Sequence, residues 1–312
     1  MSAEIRKAAE ILRAGGLVVF PTETVYGLGA DAANESAVAR LYAVKRRPPD
    51  HPVIIHFASP EKAFSWAREV PDAAKELAQR YWPGPLTLIL KRSAQAKDFV
   101  TGGQDSVGLR VPSHPIAQEL LSTFGTGVAA PSANRFGRLS PTTAAHVRED
   151  LGKEVDLVLE GVPSEVGIES TILDLSGDAR VLLRPGHISR KELEGILGST
   201  ILEDAPSSPR HPGGLERHYA PRTPARLVPA HALDREISHA KAKVAVLAFS
   251  RPDERVDYWL RMPREPQAYA QRLYAALREL DTAGCERILV EEPPQAPEWA
   301  AVRDRLTRAC KA

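Results

Sequence analysis

The residues best suited to chemistry are Lys45, Arg47, Arg110 and Arg184, interleaved along the chain with Thr22, Thr24, Ser106, Ser132, Asn134, Ser140 and Ser170. Cations combined with hydroxyl and amide groups suit a polyanion, which they hold by charge-assisted hydrogen bonds. On residue types alone, a nucleoside triphosphate, a nucleic acid and other phosphorylated ligands all remain open. No Ser-His-Asp order, Walker loop, metal-ligand cluster or paired-carboxylate arrangement accompanies the set. Each member also has a plainer reading. Lys45-Arg46-Arg47 reads equally as a solvated helix end, where cations favour the dipole. His56 reads as a hydrogen-bonded core histidine, and the Ser140 segment as helix capping. Arg110 is different: it lies between Leu109 and Val111, and burying a lone guanidinium is expensive. It needs a partner, either a protein carboxylate or the carboxylate of a ligand.

Local patterns place these groups on strand ends and turns. The apolar run Leu17–Phe20 reads as a buried strand that stops at Pro21, which cannot donate to a sheet ladder. Thr22-Glu23-Thr24 and the glycines Gly27 and Gly29 follow. They read as a ligand-facing loop or as an ordinary strand-to-helix turn. Asn34 caps a helix with Val38, Leu41 and Tyr42 on its apolar face, ending at Lys45. Strands are expected at Val53–Phe57, Leu86–Leu90, Ser106–Val111, Val128–Ala130, Asp156–Glu160, Ser170–Leu175 and Val181–Arg184. Helices are expected after Ser59-Pro60, through Ala74–Tyr81, after His114-Pro115, from Ser140 to Gly152, and after the capping box Ser189–Glu192.

The 312 residues are 43% hydrophobic and 26% charged, enough to bury a sizeable core. With 41 basic and 40 acidic residues the net charge is +1, so any basic surface must be local. Cys285 and Cys310 form no metal-type spacing or disulfide framework, which fits a reducing cytoplasm. No apolar run approaches the roughly 18–20 residues of a membrane span, and the start of the chain reads as an amphipathic charged helix rather than a signal peptide. Composition changes near Ser199. The expected organisation is an α/β catalytic domain over 1–203, a Pro/Gly/Ser-rich linker over 204–224, and a smaller α/β domain with a largely parallel sheet over 225–312. The last of these shows no glycine-rich phosphate loop.

Taken in order, the motifs resemble one family. Phe20-Pro21-Thr22-Glu23-Thr24-Val25-Tyr26-Gly27-Leu28-Gly29, Lys45-x-Arg47-Pro48, Pro131-Ser132-Ala133-Asn134, Leu139-Ser140-Pro141-Thr142, Glu169-Ser170-Thr171, Arg184-Pro185-Gly186 and His218-Tyr219-Ala220-Pro221 are similar to those of the YrdC-type threonylcarbamoyl-AMP synthases, in the longer two-domain form. The resemblance implies a twisted mixed-sheet α/β domain with a concave site, and a Rossmann-like C-terminal domain. It implies ATP-dependent condensation of L-threonine and bicarbonate into threonylcarbamoyl-AMP, with release of pyrophosphate. The product would pass to a transferase complex that modifies tRNA beside the anticodon. Mg2+ is implied through the ATP phosphates, with no protein metal site and no organic cofactor.

Roles carry over by position. Lys45 and Arg47 match the phosphate-binding, catalytic pair. Arg47, His51, Ser106, Ser132, Asn134, Ser140, Arg184 and Tyr219 match ATP-contacting positions, with Tyr219 closing from the linker as a lid. Thr24, His56, Arg110, Ala130 and Ser170 match the threonine pocket, Ala130 through its backbone and Arg110 on the carboxylate. The linker departs from some relatives by opening His211-Pro212-Gly213-Gly214 instead of with a Ser-Pro-Gly-Met type of sequence. The alternative is a non-catalytic module that binds double-stranded RNA or tRNA through Lys45, Arg46, Arg47 and Arg135. A second rival, a carbamoyl-adenylate enzyme using another carbamoyl source, would carry a kinase-like transferase domain, and none is visible in the sequence.

Overall fold

The computed structural model describes residues 2–203 and 208–311. The chain forms two compact units. The first comprises residues up to Phe136 with Pro141–Glu165 and Glu169–Gly214; the second comprises Gly137–Ser140, Val166–Ile168 and the chain from Leu215. The segment expected as a separate linker is therefore divided. Residues 208–214 belong to the first unit and those from Leu215 to the second, while 204–207 lie outside the described residues.

In the first unit the strands are β1 (Val18–Phe20), β2 (Gly27–Asp31), β3 (Ile54–His56), β4 (Leu86–Lys91), β5 (Ser106–Arg110), β6 (Val128–Ala129), β7 (Leu157–Val158), β8 (Thr171–Asp174) and β9 (Val181–Arg184). Among the described residues they form one mixed sheet in the order β7-β1-β2-β6-β3-β5-β4-β8-β9. The helices are α1 (Ala3–Arg13), α2 (Glu35–Lys45), α3 (Pro60–Phe64), α4 (Asp72–Tyr81), α5 (Asp98–Thr101), α6 (Pro115–Phe124), α7 (Ala144–Leu151) and α8 (Arg190–Leu197). Asn34, Ser59, Thr143 and Ser189 cap α2, α3, α7 and α8 with their side chains, and Ser189 forms the expected capping box with Glu192.

Side chains alternate along a strand, so each strand contributes to both faces of the sheet. Ile55, Leu88, Leu90, Val107, Leu109 and Leu173 enter the main core with Leu41 of α2, Leu77 of α4 and Leu193 of α8. On the other face the β1–β2–β6 side is covered: Val18, Phe20 and Val128 pack with Ile5 and Leu12 of α1 and Leu120, Leu121 and Phe124 of α6. Further along that face, β3, β4, β8 and β9 contribute a small apolar cluster, Ile54, Ile89, Ile172, Val181 and Leu183.

Two strands were not expected from sequence. Gly27–Asp31 pairs antiparallel with β1 in the register Phe20↔Gly27 and Val18↔Gly29, so the residues after Tyr26 form a strand rather than continuing a loop. A Cβ at Gly29 would lie 2.9 Å from Phe20 and 3.0 Å from Val128, whereas Gly27 has ordinary room. Gly29 is thus fixed by close strand packing. The other is Tyr258–Arg261. The expected strand Asp156–Glu160 shortens to Leu157–Val158.

The second unit contains β10 (Ala225–Val228), β11 (Val244–Ala248), β12 (Tyr258–Arg261) and β13 (Arg287–Glu291), with α9 (Leu233–Ser238), α10 (Pro266–Asp281) and α11 (Ala300–Ala309). Its sheet runs β10-β13-β11-β12 with all pairs parallel. The face of α10 that carries Tyr269, Leu273, Ala276, Leu277 and Leu280 is buried.

Candidate active site

Strand register puts a row of polar groups along one end of the sheet. His56 pairs with Arg110 between β3 and β5. Leu88 pairs with Leu109 in antiparallel register, which sets Thr87 opposite Arg110. Thr87 pairs with Ile172, and Ile172 with Arg184. The irregularity between Ile172 and Leu173 leaves Leu183 as an extra residue in β9, and a bulge of this kind re-aims the following side chain. Arg184 ends β9 buried, its Nε 3.0 Å from the Ser170 carbonyl oxygen and its Nη2 3.0 Å from Ser170 Oγ. Ser170 Oγ in turn shares a 2.8 Å hydrogen bond with Thr87 Oγ1. Nη1 of Arg184 donates to the Pro212 carbonyl oxygen at 3.0 Å, which ties residues 208–214 to this end of the sheet.

The Thr22–Thr24 loop supplies the partner that Arg110 needs. Arg110 Nη2 lies 2.7 Å from Glu23 Oε1 and donates to Thr24 Oγ1 at 2.9 Å. The second carboxylate oxygen of Glu23 accepts from the Ser113 backbone N–H at 3.1 Å. Thr22 Oγ1 lies 2.8 Å from Thr24 Oγ1 and donates to the Val25 carbonyl oxygen, closing the loop on itself. Thr22, Glu23, Thr24 and Arg110 are all buried. His56, beside Arg110, is held well below the ordinary histidine range, first by burial and then by the Arg110 charge. It is therefore a neutral imidazole near neutral pH.

A second polar group forms where α2 ends. Arg46 takes a left-handed conformation (φ 54°), which stops the helix and turns Arg47 inward. Lys45 is buried, and its Nζ donates to the backbone carbonyl oxygens of Ser132 and Asn134, the latter at 2.6 Å. Burial, then the Arg47 charge, pushes the Lys45 ammonium well below its ordinary value. Arg47 Nη2 donates to the Pro52 carbonyl oxygen at 2.7 Å, and its guanidinium lies 5.4 Å from the centre of the Phe136 ring. His51 packs edge-on to the same ring at 5.4 Å, and burial followed by Arg47 lowers its pKa. The parallel register Ile54↔Gly108 sets residue 52 beside Ser106, so Ser106 stands at the Arg47 end of β5 and Arg110 at the other. Ala130 donates its N–H to the Ile54 carbonyl oxygen at 3.1 Å, and Ser132 bridges to Gly27.

Residues 10–186 match the sequence model of the Sua5/YciO/YrdC family, described as "Telomere recombination", and residues 188–310 match that described as "Threonylcarbamoyl-AMP synthase, C-terminal domain". The chain belongs to the Sua5/YciO/YrdC family. It has the two-domain Sua5 form, which aligns along nearly its whole length. The threonylcarbamoyl-AMP synthase of Pyrococcus abyssi is 40% identical over 98% of this chain and 94% of the relative. That of Bacillus subtilis is 38% identical over 98% and 92%. A crystal structure of P. abyssi Sua5 complexed with L-threonine superposes with a TM-score of 0.92 at 38% identity, covering 98% of this chain and 94% of that one. E. coli YciO, 27% identical, covers 61% of this chain and 92% of its own with a TM-score of 0.54.

Within this Sua5-form chain, the first unit brings together Thr24, His56, Arg110, Ser170 and Arg184 along one sheet end, and Lys45, Arg47, His51, Ser132 and Asn134 around the end of α2. Ser140 and Tyr219 belong to the second unit. Tyr219 is buried there in a left-handed backbone conformation (φ 57°), its ring 5.2 Å from the Arg305 guanidinium and 5.9 Å from the Tyr274 ring. Backbone bonds from His218 N–H to the Arg308 carbonyl oxygen and from Ala220 N–H to the Gly137 carbonyl oxygen fix the segment. The His-Tyr-Ala-Pro motif is thus packed structure rather than a loose linker. Sequence reasoning missed two participants, Glu23 as the Arg110 partner and Thr87 as the Ser170 partner. The carboxylate between two threonines was a signal for Glu23. A threonine inside the apolar strand Leu86–Leu90 was the only hint of Thr87.

Proposed function

We propose that the protein condenses L-threonine, bicarbonate and MgATP into threonylcarbamoyl-AMP, releasing pyrophosphate and water, and so supplies threonylcarbamoyladenosine modification of tRNA in the cytoplasm. The observation that carries this reading is the buried Arg110–Thr24 cluster, in a chain that aligns end to end with threonylcarbamoyl-AMP synthases. Arg110 offers a guanidinium to the threonine carboxylate, with His56, Thr24, Ser170 and the Ala130 backbone shaping the pocket. Neutral His56 suits a site that must admit an uncharged amine, because it adds no positive charge next to it.

In the reaction, the threonine amine captures bicarbonate as a carbamate with loss of water. A carbamate oxygen attacks the α-phosphorus of ATP, and the bond to the β-phosphate oxygen breaks as pyrophosphate leaves. The protein's part is to position the reactants and neutralise charge. Lys45 and Arg47 hold the triphosphate, and Arg184, His51, Ser106, Ser132 and Asn134 the rest of the nucleotide. Mg2+ enters on the ATP phosphates as part of the substrate and shares their charge.

Mass spectrometry of reactions containing purified protein, MgATP, bicarbonate and threonine tests this. The expected result is threonylcarbamoyl-AMP with pyrophosphate release that stops when either threonine or bicarbonate is omitted. Tight binding of double-stranded RNA without any such product would replace the synthase reading with the RNA-binding one.

A further inference from the structure

Each hydroxyl carries a single proton, so a chain of hydroxyls has a direction. Thr22 and Thr24 form such a chain beside Arg110, and its direction is fixed. Thr22 Oγ1 lies 2.6 Å from the Val25 carbonyl oxygen, which can only accept, so the Thr22 proton is spent there. Thr22 Oγ1 also lies 2.8 Å from Thr24 Oγ1. Two oxygens at that distance share one proton, and the only proton left belongs to Thr24. Thr24 therefore donates to Thr22. The Thr24 and Val25 N–H groups, each 3.2 Å from Thr22 Oγ1, face the same oxygen as donors.

This leaves Thr24 Oγ1 with its lone pairs alone. Arg110 Nη2 fills one of them at 2.9 Å, and the other has no partner among the described residues. Arg110 Nη2 spends its second proton on Glu23 at 2.7 Å, and Nε points at the Gly84 carbonyl oxygen at 3.4 Å. Nη1 has no protein acceptor among the described residues. An oxygen that cannot donate thus stands beside a guanidinium edge that lacks an acceptor. Buried Ser164 holds the loop in this form. Its Oγ donates to the Thr22 carbonyl oxygen at 3.1 Å, and its N–H to the Thr142 carbonyl oxygen at 3.1 Å.

We propose that Thr22 is a positioning residue that makes Thr24 an obligate acceptor toward the bound amino acid, and so fixes that ligand's orientation. The inference rests on the threonine-binding reading of Arg110 and Thr24. Arg110 Nη1 takes the carboxylate. The Thr24 lone pair repels a carboxylate and takes a proton donor of the same molecule, either the amine N–H or the side-chain O–H. A ligand with no donor there would leave a buried acceptor unpaired, which a polar site penalises. Without the Thr22 hydroxyl, the Thr24 proton turns toward the ligand, where it opposes a donor or occupies the amine lone pair that must capture bicarbonate.

Isothermal titration of the full-length protein with L-threonine and, separately, with MgATP tests this. Thr22→Val should weaken threonine binding roughly tenfold and leave MgATP binding unchanged. Thr22→Ser keeps the hydroxyl and should restore wild-type affinity. In a Thr24→Val background there is no proton to direct, so Thr22→Val should cost no further threonine affinity. L-α-Aminobutyrate, which is threonine without its hydroxyl, identifies the donor: an equal loss with this ligand assigns it to the amine, and no loss assigns it to the hydroxyl. Wild-type threonine affinity in Thr22→Val overturns the proposal. An equal loss for threonine and MgATP, or an undiminished further loss in the Thr24→Val background, also overturns it and leaves Thr22 a purely structural residue. Failure of the wild-type protein to bind threonine overturns instead the reading on which the proposal rests.

Discussion

Arg110 and Glu23 form a buried ion pair, with Nη2 2.7 Å from Oε1 and both side chains about 5–6% exposed. Its geometry joins the β5 end to the loop after β1, and Thr24 and the Ser113 N–H satisfy the surrounding polar atoms. Glu23 thereby fixes the plane in which Arg110 presents its guanidinium. Removing one member of a buried pair strands the other charge, at a cost of about 3–5 kcal/mol. Arg110→Ala should accordingly destabilise the protein strongly as well as abolish threonine use. Glu23→Gln keeps the shape and an acceptor, so it should cost less stability. It should raise the KM for threonine by roughly tenfold, about 1.4 kcal/mol, with the KM for ATP unmoved. Equal changes in both KM values would reduce Glu23 to a purely structural residue.

The Thr87–Ser170–Arg184 chain yields a second test. Thr87 contributes only its hydroxyl to this chain, so Thr87→Val removes one hydrogen bond at nearly constant volume. A buried hydrogen bond of this kind contributes about 1 kcal/mol, and an unsatisfied partner costs about 1–3 kcal/mol. Denaturant midpoints should fall accordingly. Because Ser170 joins Arg184 to the row containing Arg110, the KM values for threonine and ATP should both rise modestly. If stability drops while both KM values hold, Thr87 does not position the site.

Much of this was legible from sequence, and the failures have physical causes. Caps and amphipathic faces are local, so α1, α2 and α8 could be read directly from Asn34, Ser189 and the Leu/Ala spacing. Arg110 announced its need for a partner by lying among apolar residues. Its actual partner, Glu23, is 87 positions away, and only the pairing of strands brings them together. Gly27–Asp31 was missed because glycine and alanine carry little strand signal, and its neighbours β1 and β6 specify it from outside. An aromatic pair such as His218-Tyr219 in a Pro/Gly-rich flank points to docking, but not to what it docks on. Its anchors, Arg305 and Arg308, lie in the last helix.

Lys45 gives a prediction whose sign follows from its burial. Burial and Arg47 hold its folded-state pKa well below the 10.5 of an unperturbed lysine. Between those two values the unfolded chain binds more protons than the folded one, so stability rises with pH. Below the folded pKa, the full cost of the buried charge is present. Lys45→Met removes that titration. Its stability relative to wild type should therefore fall steadily as pH rises from neutral towards about 10.5. A constant difference across this range, measured by denaturant unfolding, would show that Lys45 is not desolvated in the folded protein. Nucleotide phosphates should restore the proton, so ATP binding at alkaline pH should be accompanied by proton uptake in calorimetry run in buffers of different ionisation enthalpy.

Gly186 and Gly195 form a matched pair with opposite expectations. A Cβ at Gly186 would lie 2.4 Å from the Thr171 backbone nitrogen, 2.7 Å from Thr171 Oγ1 and 2.9 Å from the Ser170 carbonyl carbon. Two of these are backbone atoms, which cannot swing aside. Gly186→Ala should therefore push apart the segments that carry Ser170 and Arg184, costing about 1–3 kcal/mol by overpacking and raising the KM for ATP. At Gly195, inside α8, an added Cβ meets nothing within 4 Å. Gly195→Ala should stabilise the protein by about 0.5–1 kcal/mol, because alanine loses less backbone freedom in a helix, with unchanged kinetics. Thermal unfolding and steady-state assays on both variants decide the matter. A Gly186→Ala protein as stable and as active as wild type would mean that the β8–β9 junction relaxes freely and that Arg184 is not held by its contact with Ser170.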